Sequence, residues 1–199
     1  MAKVLHIISS TRGAESLTLT LGNAIIDRIK TKDPDTVVKE IDLSANPYPH
    51  LGPIQISSFF TPEESRTPEQ ELAVRRSDEA VAELQDADIL VIGAPMYNYS
   101  ITSSLKAYFD HIARARLTFR YSESGVEGLL KNKKAYIAFG SAGVFGNEQM
   151  QAYDFAVPYM KHFLGFLGIT DVSVFRVEGT GIPGLQETAL KKALESIAV

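Results

Sequence analysis

Three short segments of the chain are almost continuously apolar: Val4-Leu-His-Ile-Ile8, Ile89-Leu-Val-Ile92 and Tyr136-Ile-Ala-Phe139. A strand with one face in water alternates apolar and polar residues, so runs this dense require cover on both faces, as in a parallel sheet crossed over by helices. Two weaker β-branched runs complete a set of strands over residues 3–9, 36–42, 88–94, 134–140 and 171–177. Apolar residues at helical spacing fill the intervals at 16–30, 67–85, 103–116, 151–167 and 185–197. The second of these opens Thr67-Pro68-Glu69-Gln70, a capping box with proline in the first turn. Alternation of this kind predicts an α/β fold: a doubly wound five-stranded parallel sheet in the order 2-1-3-4-5, with helices on both faces.

With 199 residues, 45% hydrophobic, and no low-complexity divide, one domain over 1–199 is expected. The absence of cysteine excludes disulfides, thiol nucleophiles and cysteine-bound metals, and fits a cytoplasmic location. No apolar run reaches membrane-spanning length. A net charge of -4 with scattered Lys and Arg argues against nucleic-acid partners. His6, His50, His111 and His162 lack metal-ligand spacing, so no metal site is expected, and no G-x-S-x-G elbow suggests a hydrolase.

Ligands of such sheets bind beyond the carboxyl ends of the strands, at the switch point. Three loops leave there. The first, "SSTRGAESLT" (9–18), places hydroxyls at a helix N-terminus, where free N–H groups and the dipole favour an anion; simple N-capping by Ser16 is the alternative. It lacks a P-loop or G-x-G-x-x-G pattern, so a monophosphate ester suits it better than a pyrophosphate. The second, Pro95-Met96-Tyr97-Asn98-Tyr99, neither continues a strand nor reads as an ordinary tight turn; its flat side chains suit a planar heteroaromatic ring, or they simply seal the sheet. The third, "GSAGVFG" (140–146), lets a flat ligand approach the backbone or eases a helix entry. Two stretches exceed the minimal scheme: a long Pro- and Ser-rich loop over 46–66, and a hairpin-like excursion over 116–133 with Phe119 and Tyr121 near its tip.

The segment "APMYNYSITSSLKAYFDHIARARLTFRYSESGVEGLL", together with "KVLHIISS", "ESLT" and "FLGFLGITD", resembles the bacterial FMN-dependent NADH:quinone oxidoreductase and azoreductase family. The resemblance implies a flavodoxin-like homodimer with one FMN per subunit. It further implies two-electron ping-pong transfer from NADH or NADPH to quinones, and reductive cleavage of aromatic azo compounds to amines. By motif position, Ser10, Ser16, Leu17 and Thr18 would hold the FMN phosphate. Pro95, Met96, Tyr97, Asn98 and Tyr99 would line the ring, with Gly140, Ser141, Ala142 and Gly143 at its pyrimidine edge. Phe60, Tyr121, Phe145 and Phe163 are the candidate aromatic walls for substrate, some from the partner subunit. No catalytic acid or base is required, because the cofactor carries the hydride chemistry. The competing reading is a non-enzymatic flavodoxin-type electron carrier.

Overall fold

A computed structural model describes residues 1–123 and 125–199. Strands β1 (Lys3–Ile8), β2 (Val37–Asp42) and β3 (Ile89–Pro95) alternate with helices α1 (Leu17–Lys32), α2 (Pro53–Phe60) and α3 (Pro68–Asp86). Helix α4 (Ser103–Ile112) precedes a hairpin, β4 (Phe119–Ser122) and β5 (Gly125–Gly128); then come β6 (Lys134–Gly140), α5 (Val157–Leu167), β7 (Asp171–Val177) and α6 (Gln186–Glu195). The main sheet runs β2-β1-β3-β6-β7, all parallel, which is the expected 2-1-3-4-5 order once the hairpin strands are counted separately. In register, Ile7 lies between Ile41 and Ile92, and Ile92 faces Ile137.

The dense apolar runs divide cleanly between two faces. Leu5, Ile7, Leu90, Ile92, Ile137 and Phe139 pack with Leu84, Leu105, Phe109 and Leu164 from α3, α4 and α5. Val4, Val91, Tyr136 and Ala138 point the other way, onto Leu21 and Ile25 of α1 and Ala189 and Ala193 of α6. Each large side chain buried this way contributes about 1.5–3 kcal/mol. The Thr67 capping box forms as expected, with Gln70 N–H donating to Thr67 Oγ1 at 3.3 Å and Thr67 N–H donating to Gln70 Oε1 at 3.0 Å.

Several expected boundaries move for local reasons. Helix α4 stops at Ile112 rather than 116, because Thr118 Oγ1 accepts from Arg114 N–H at 2.9 Å and donates to Ile112 O at 2.7 Å, closing a turn. The buried Arg114 then pairs with Asp78 Oδ1 at 2.8 Å and with Ser77 Oγ at 2.7 Å. Helix α5 starts at Val157 rather than 151, since the Asp154 carboxylate accepts from Ala156 and Val157 N–H at 3.0 and 2.9 Å. The stretch 46–66, expected as loop, contains α2, which opens on Pro53 with Gln55 Oε1 accepting from Gly52 N–H. The 116–133 excursion is indeed a hairpin, with Ser124 outside the described residues. Phe119 does not sit near its tip; it is buried at the base against Phe166, ring centroids 4.5 Å apart.

Two histidines lie in the core. His6 is fully buried on the α1 side, its Nδ1 3.3 Å from Glu40 Oε1 and its Nε2 against Gly22, where a Cβ would come within 2.7 Å. Burial, outweighing Glu40, holds its pKa below the usual histidine value; burial also lowers that of His111, with Arg76 and Arg114 adding to the effect against Pro49 O and Asp110. Because the unfolded chain binds these protons more readily, the stability they contribute is present above the ordinary pKa of 6.5 and is lost as pH falls through the lowered values. Denaturant midpoints should therefore be nearly level around pH 8 and fall as pH drops through 6.5 towards 5.5; no fall over that interval would contradict the burial of both rings as neutral imidazoles.

Candidate functional site

The carboxyl ends of β1, β3, β6 and β7 converge on one cavity of about 170 Å³. Its lining brings together Ser10, Ser16, Leu17 and Thr18 from the first loop and helix start with Pro95, Met96 and Tyr97 from the second. Gly140, Ser141 and Ala142 supply the third side. Ser16 and Thr18 are buried with their hydroxyl oxygens 3.0 Å apart, and Ser16 Oγ also caps α1 by accepting from Leu19 N–H at 3.2 Å. Both readings of Ser16 are thus physically compatible: the cap uses one lone pair of Ser16, and of the two hydroxyl protons one bridges Ser16 and Thr18 while the other is left to donate. The amides of Leu17 and Thr18 open the first helical turn, where no preceding helical carbonyl reaches them. Close packing holds this cradle against the sheet: a Cβ on Gly140 would lie 2.7 Å from Thr18 Cγ2.

The second loop resolves differently from its expectation. Tyr97 N–H donates to Ser100 O at 2.9 Å and Ser100 N–H to Tyr97 O at 3.0 Å, so the segment is a tight two-residue turn after all. Its central residues, Asn98 and Tyr99, have φ of 48° and 68°, the left-handed region that hairpin turns of this length demand. Asn tolerates that conformation; an aromatic residue there is strained by about 1–2 kcal/mol. Glycine and asparagine are the usual signals for such a turn, and Tyr99 hid it. The strain is offset by contacts: the Tyr99 ring meets Phe145 edge-on at 6.0 Å, and Tyr99 O accepts from Phe155 N–H at 3.2 Å. Tyr97 reaches across to Thr11, hydroxyl oxygens 3.2 Å apart.

Not every candidate lines this cavity. Asn98, with Tyr97 and Thr11, borders an adjoining groove of about 870 Å³ that continues past Ile101 and Lys106 to Phe155 and Tyr159. Gly143 lies behind Ser141, its carbonyl accepting from the Ser141 hydroxyl at 2.9 Å. Phe145 is buried. Phe60 and Tyr121, 69% and 76% exposed, instead share a separate cleft of about 670 Å³ between α2 and the hairpin. Phe163 stacks on Phe109 at 4.4 Å and packs against the core.

Three lining residues escaped the sequence reading: Arg12, Val177 and Thr180. Val177 ends the fifth sheet strand and Thr180 follows it, so the same carboxyl-end rule applied to that strand would have found both.

Residues 2–199 match a family model described as having a flavodoxin-like fold. The chain belongs to this flavodoxin-like family. It is 45% identical over 193 residues to a protein of Herminiimonas arsenicoxydans named FMN-dependent NADH:quinone oxidoreductase, covering 96% of this chain and 95% of that one. It is 43% identical over 199 residues to FMN-dependent NADH:quinone oxidoreductase 6 of Burkholderia lata, covering 100% and 99%. Among solved structures, an azoreductase from Bacillus anthracis strain Sterne superimposes with a TM-score of 0.90 at 29% identity, over 98% of this chain and 96% of that one. A FMN-dependent NADH-azoreductase from Bacillus anthracis Ames Ancestor, solved in complex with FMN, gives a TM-score of 0.86 at 26% identity over 98% and 97%.

Proposed function

We propose that this flavodoxin-like chain is an FMN-dependent oxidoreductase. It uses NADH or NADPH for two-electron reduction of quinones and cleaves aromatic azo compounds to amines. The observation that carries the reading is the buried pair of hydroxyls, Ser16 and Thr18, with two first-turn amides that find no acceptor among the described residues, set beside the strained Tyr97–Ser100 turn. That donor set suits a phosphate monoester. A cavity of about 170 Å³ is small for a whole cofactor, whereas the Tyr97 wall it shares with the larger groove allows a ring system to extend past the turn. The donor chemistry and this continuity fit FMN.

In this reading Ser10, Ser16, Leu17 and Thr18 hold the phosphate, and Pro95 to Tyr99 support the ring opposite Gly140 to Gly143. When bound, FMN supplies reversible two-electron chemistry between a nicotinamide hydride donor and a quinone or azo acceptor. The protein's part is to hold the ring, offer backbone N–H donors at its polar edge and keep flat apolar walls for stacking. Phe60, Tyr121 and Phe145 are proposed as those walls, with Phe60 and Tyr121 acting across the interface of a homodimer. The chain is further proposed to act as a single cytoplasmic domain over 1–199 that pairs with a second copy. The names of the relatives favour an enzyme over an electron carrier.

The test is a visible spectrum of the purified protein followed anaerobically by NADH and then a benzoquinone. A flavin band that bleaches with NADH and returns with quinone is the expected result. A colourless protein that cannot be reconstituted with FMN would overturn the assignment.

A further inference from the structure

Behind the cavity, loop 141–146 is pinned from two sides. The segment after β7 takes its carbonyls: Ser141 O accepts from Thr180 N–H and Oγ1 at 3.3 and 3.1 Å, Ala142 O from Gly181 N–H at 3.0 Å, and Gly143 O from Gly179 N–H at 2.9 Å. In a trans peptide the carbonyl and the following N–H point in opposite directions, and no described peptide is cis. The amides of Ala142, Gly143 and Val144 therefore point away from that segment, and none has an acceptor among the described residues.

The second pin is ionic. Glu178, largely buried, accepts from Phe145 N–H at 3.1 Å and Gly146 N–H at 3.2 Å. Arg176 holds Glu178 Oε1 at 2.9 Å and Asp154 Oδ2 at 2.7 Å. The buried Asp154 in turn caps α5, and Phe155 N–H beside it donates to Tyr99 O. One chain of bonds thus runs from the glycine loop to the strained turn, through three side chains that do not line the cavity.

We propose that Glu178, backed by Arg176 and Asp154, is a positioning residue: it fixes three free amides of loop 141–146 for the polar edge of the bound ring and ties that loop to the Tyr97–Ser100 turn. The proposal rests on the FMN reading above. Donors held at that edge favour the more electron-rich, reduced form of the ring over the oxidised one. A residue with a purely structural role would weaken both forms alike.

Two measurements separate these cases. In Glu178→Ala holoenzyme, affinity for reduced FMN should fall about tenfold further than affinity for oxidised FMN, which lowers the two-electron potential by about 30 mV. Glu178→Gln keeps one acceptor oxygen where the two amides use both carboxylate oxygens, so its potential should fall between those of wild type and Glu178→Ala. Equal weakening of both forms, or an unchanged potential, overturns the proposal. Independently, hydrogen exchange on FMN-free protein should show faster uptake in Glu178→Ala over both 141–146 and 96–100; an unchanged 96–100 segment overturns the coupling. A wild-type protein that takes up no FMN overturns the cofactor reading and this role with it, while the exchange result still decides whether the clamp exists.

Discussion

Ser16→Asp should leave the protein folded with an essentially unchanged melting temperature while its affinity for FMN falls about a hundredfold or more. Aspartate caps a helix as well as serine does, and its charge is favoured at the N-terminal end of the dipole. Ser16 Oγ already accepts from Leu19 N–H at 3.2 Å, a role that a carboxylate oxygen can fill. The same carboxylate, however, would sit in the cradle beside Thr18 Oγ1 and face the phosphate. Like charges juxtaposed at a desolvated contact cost several kcal/mol, and about 1.4 kcal/mol is a factor of ten. Ser16→Ala should show the converse pattern: about 0.5–2 kcal/mol of stability lost with the cap, and a smaller loss of affinity. Thermal melts paired with flavin-fluorescence titrations measure both quantities. Tight FMN binding by a folded Ser16→Asp protein would move the phosphate away from α1.

The sheet was legible in the sequence because its signal is dense and local. Runs such as Ile89 to Ile92 can only be covered on both faces, and that requirement alone implies parallel strands with crossover helices. Boundaries set by tertiary partners were not legible in the same way. The stop of α4 at Ile112 depends on Thr118 and on Asp78, far along the chain, neither of which a helical period can report. At the site, the hydroxyls and glycines were visible as residue types, and the structure brings ten of the thirteen cofactor candidates around one cavity. Phe60 and Tyr121 stand elsewhere, in the cleft by the hairpin, because aromatic identity says nothing about which wall a ring occupies. The clamp of Glu178, Arg176 and Asp154 was invisible for a related reason: charged residues at such spacing read as an ordinary solvated face until the fold buries them.

Gly128→Ala should lower the melting temperature by about 2–12 °C and disturb the cleft beyond it. The β4–β5 hairpin docks on the end of α5 backbone to backbone. A Cβ at Gly128 would lie 2.1 Å from Gly168 N and 2.2 Å from Leu167 C, atoms that cannot rotate aside as a side-chain tip can. Adjacent to this contact, Leu130 N–H donates to Leu167 O at 2.9 Å. Forcing extra volume into such a contact costs about 1–3 kcal/mol, and in a chain of this size each kcal/mol moves the midpoint by about 2–4 °C. Relief requires the hairpin to lift, which would shift Phe119 from Phe166 and carry Tyr121 away from Phe60. Acceptor KM should therefore rise in the variant while FMN affinity, set at the other strand ends, is retained. Gly165→Ala supplies the contrast within the same helix: nothing lies within 4 Å of its Cβ position, and alanine is the better helix former by about 0.8–1 kcal/mol, so the midpoint should rise. If both substitutions proved neutral, backbone contact with α5 would not be what holds the hairpin, and Tyr121 would have no fixed place as a wall of the cleft.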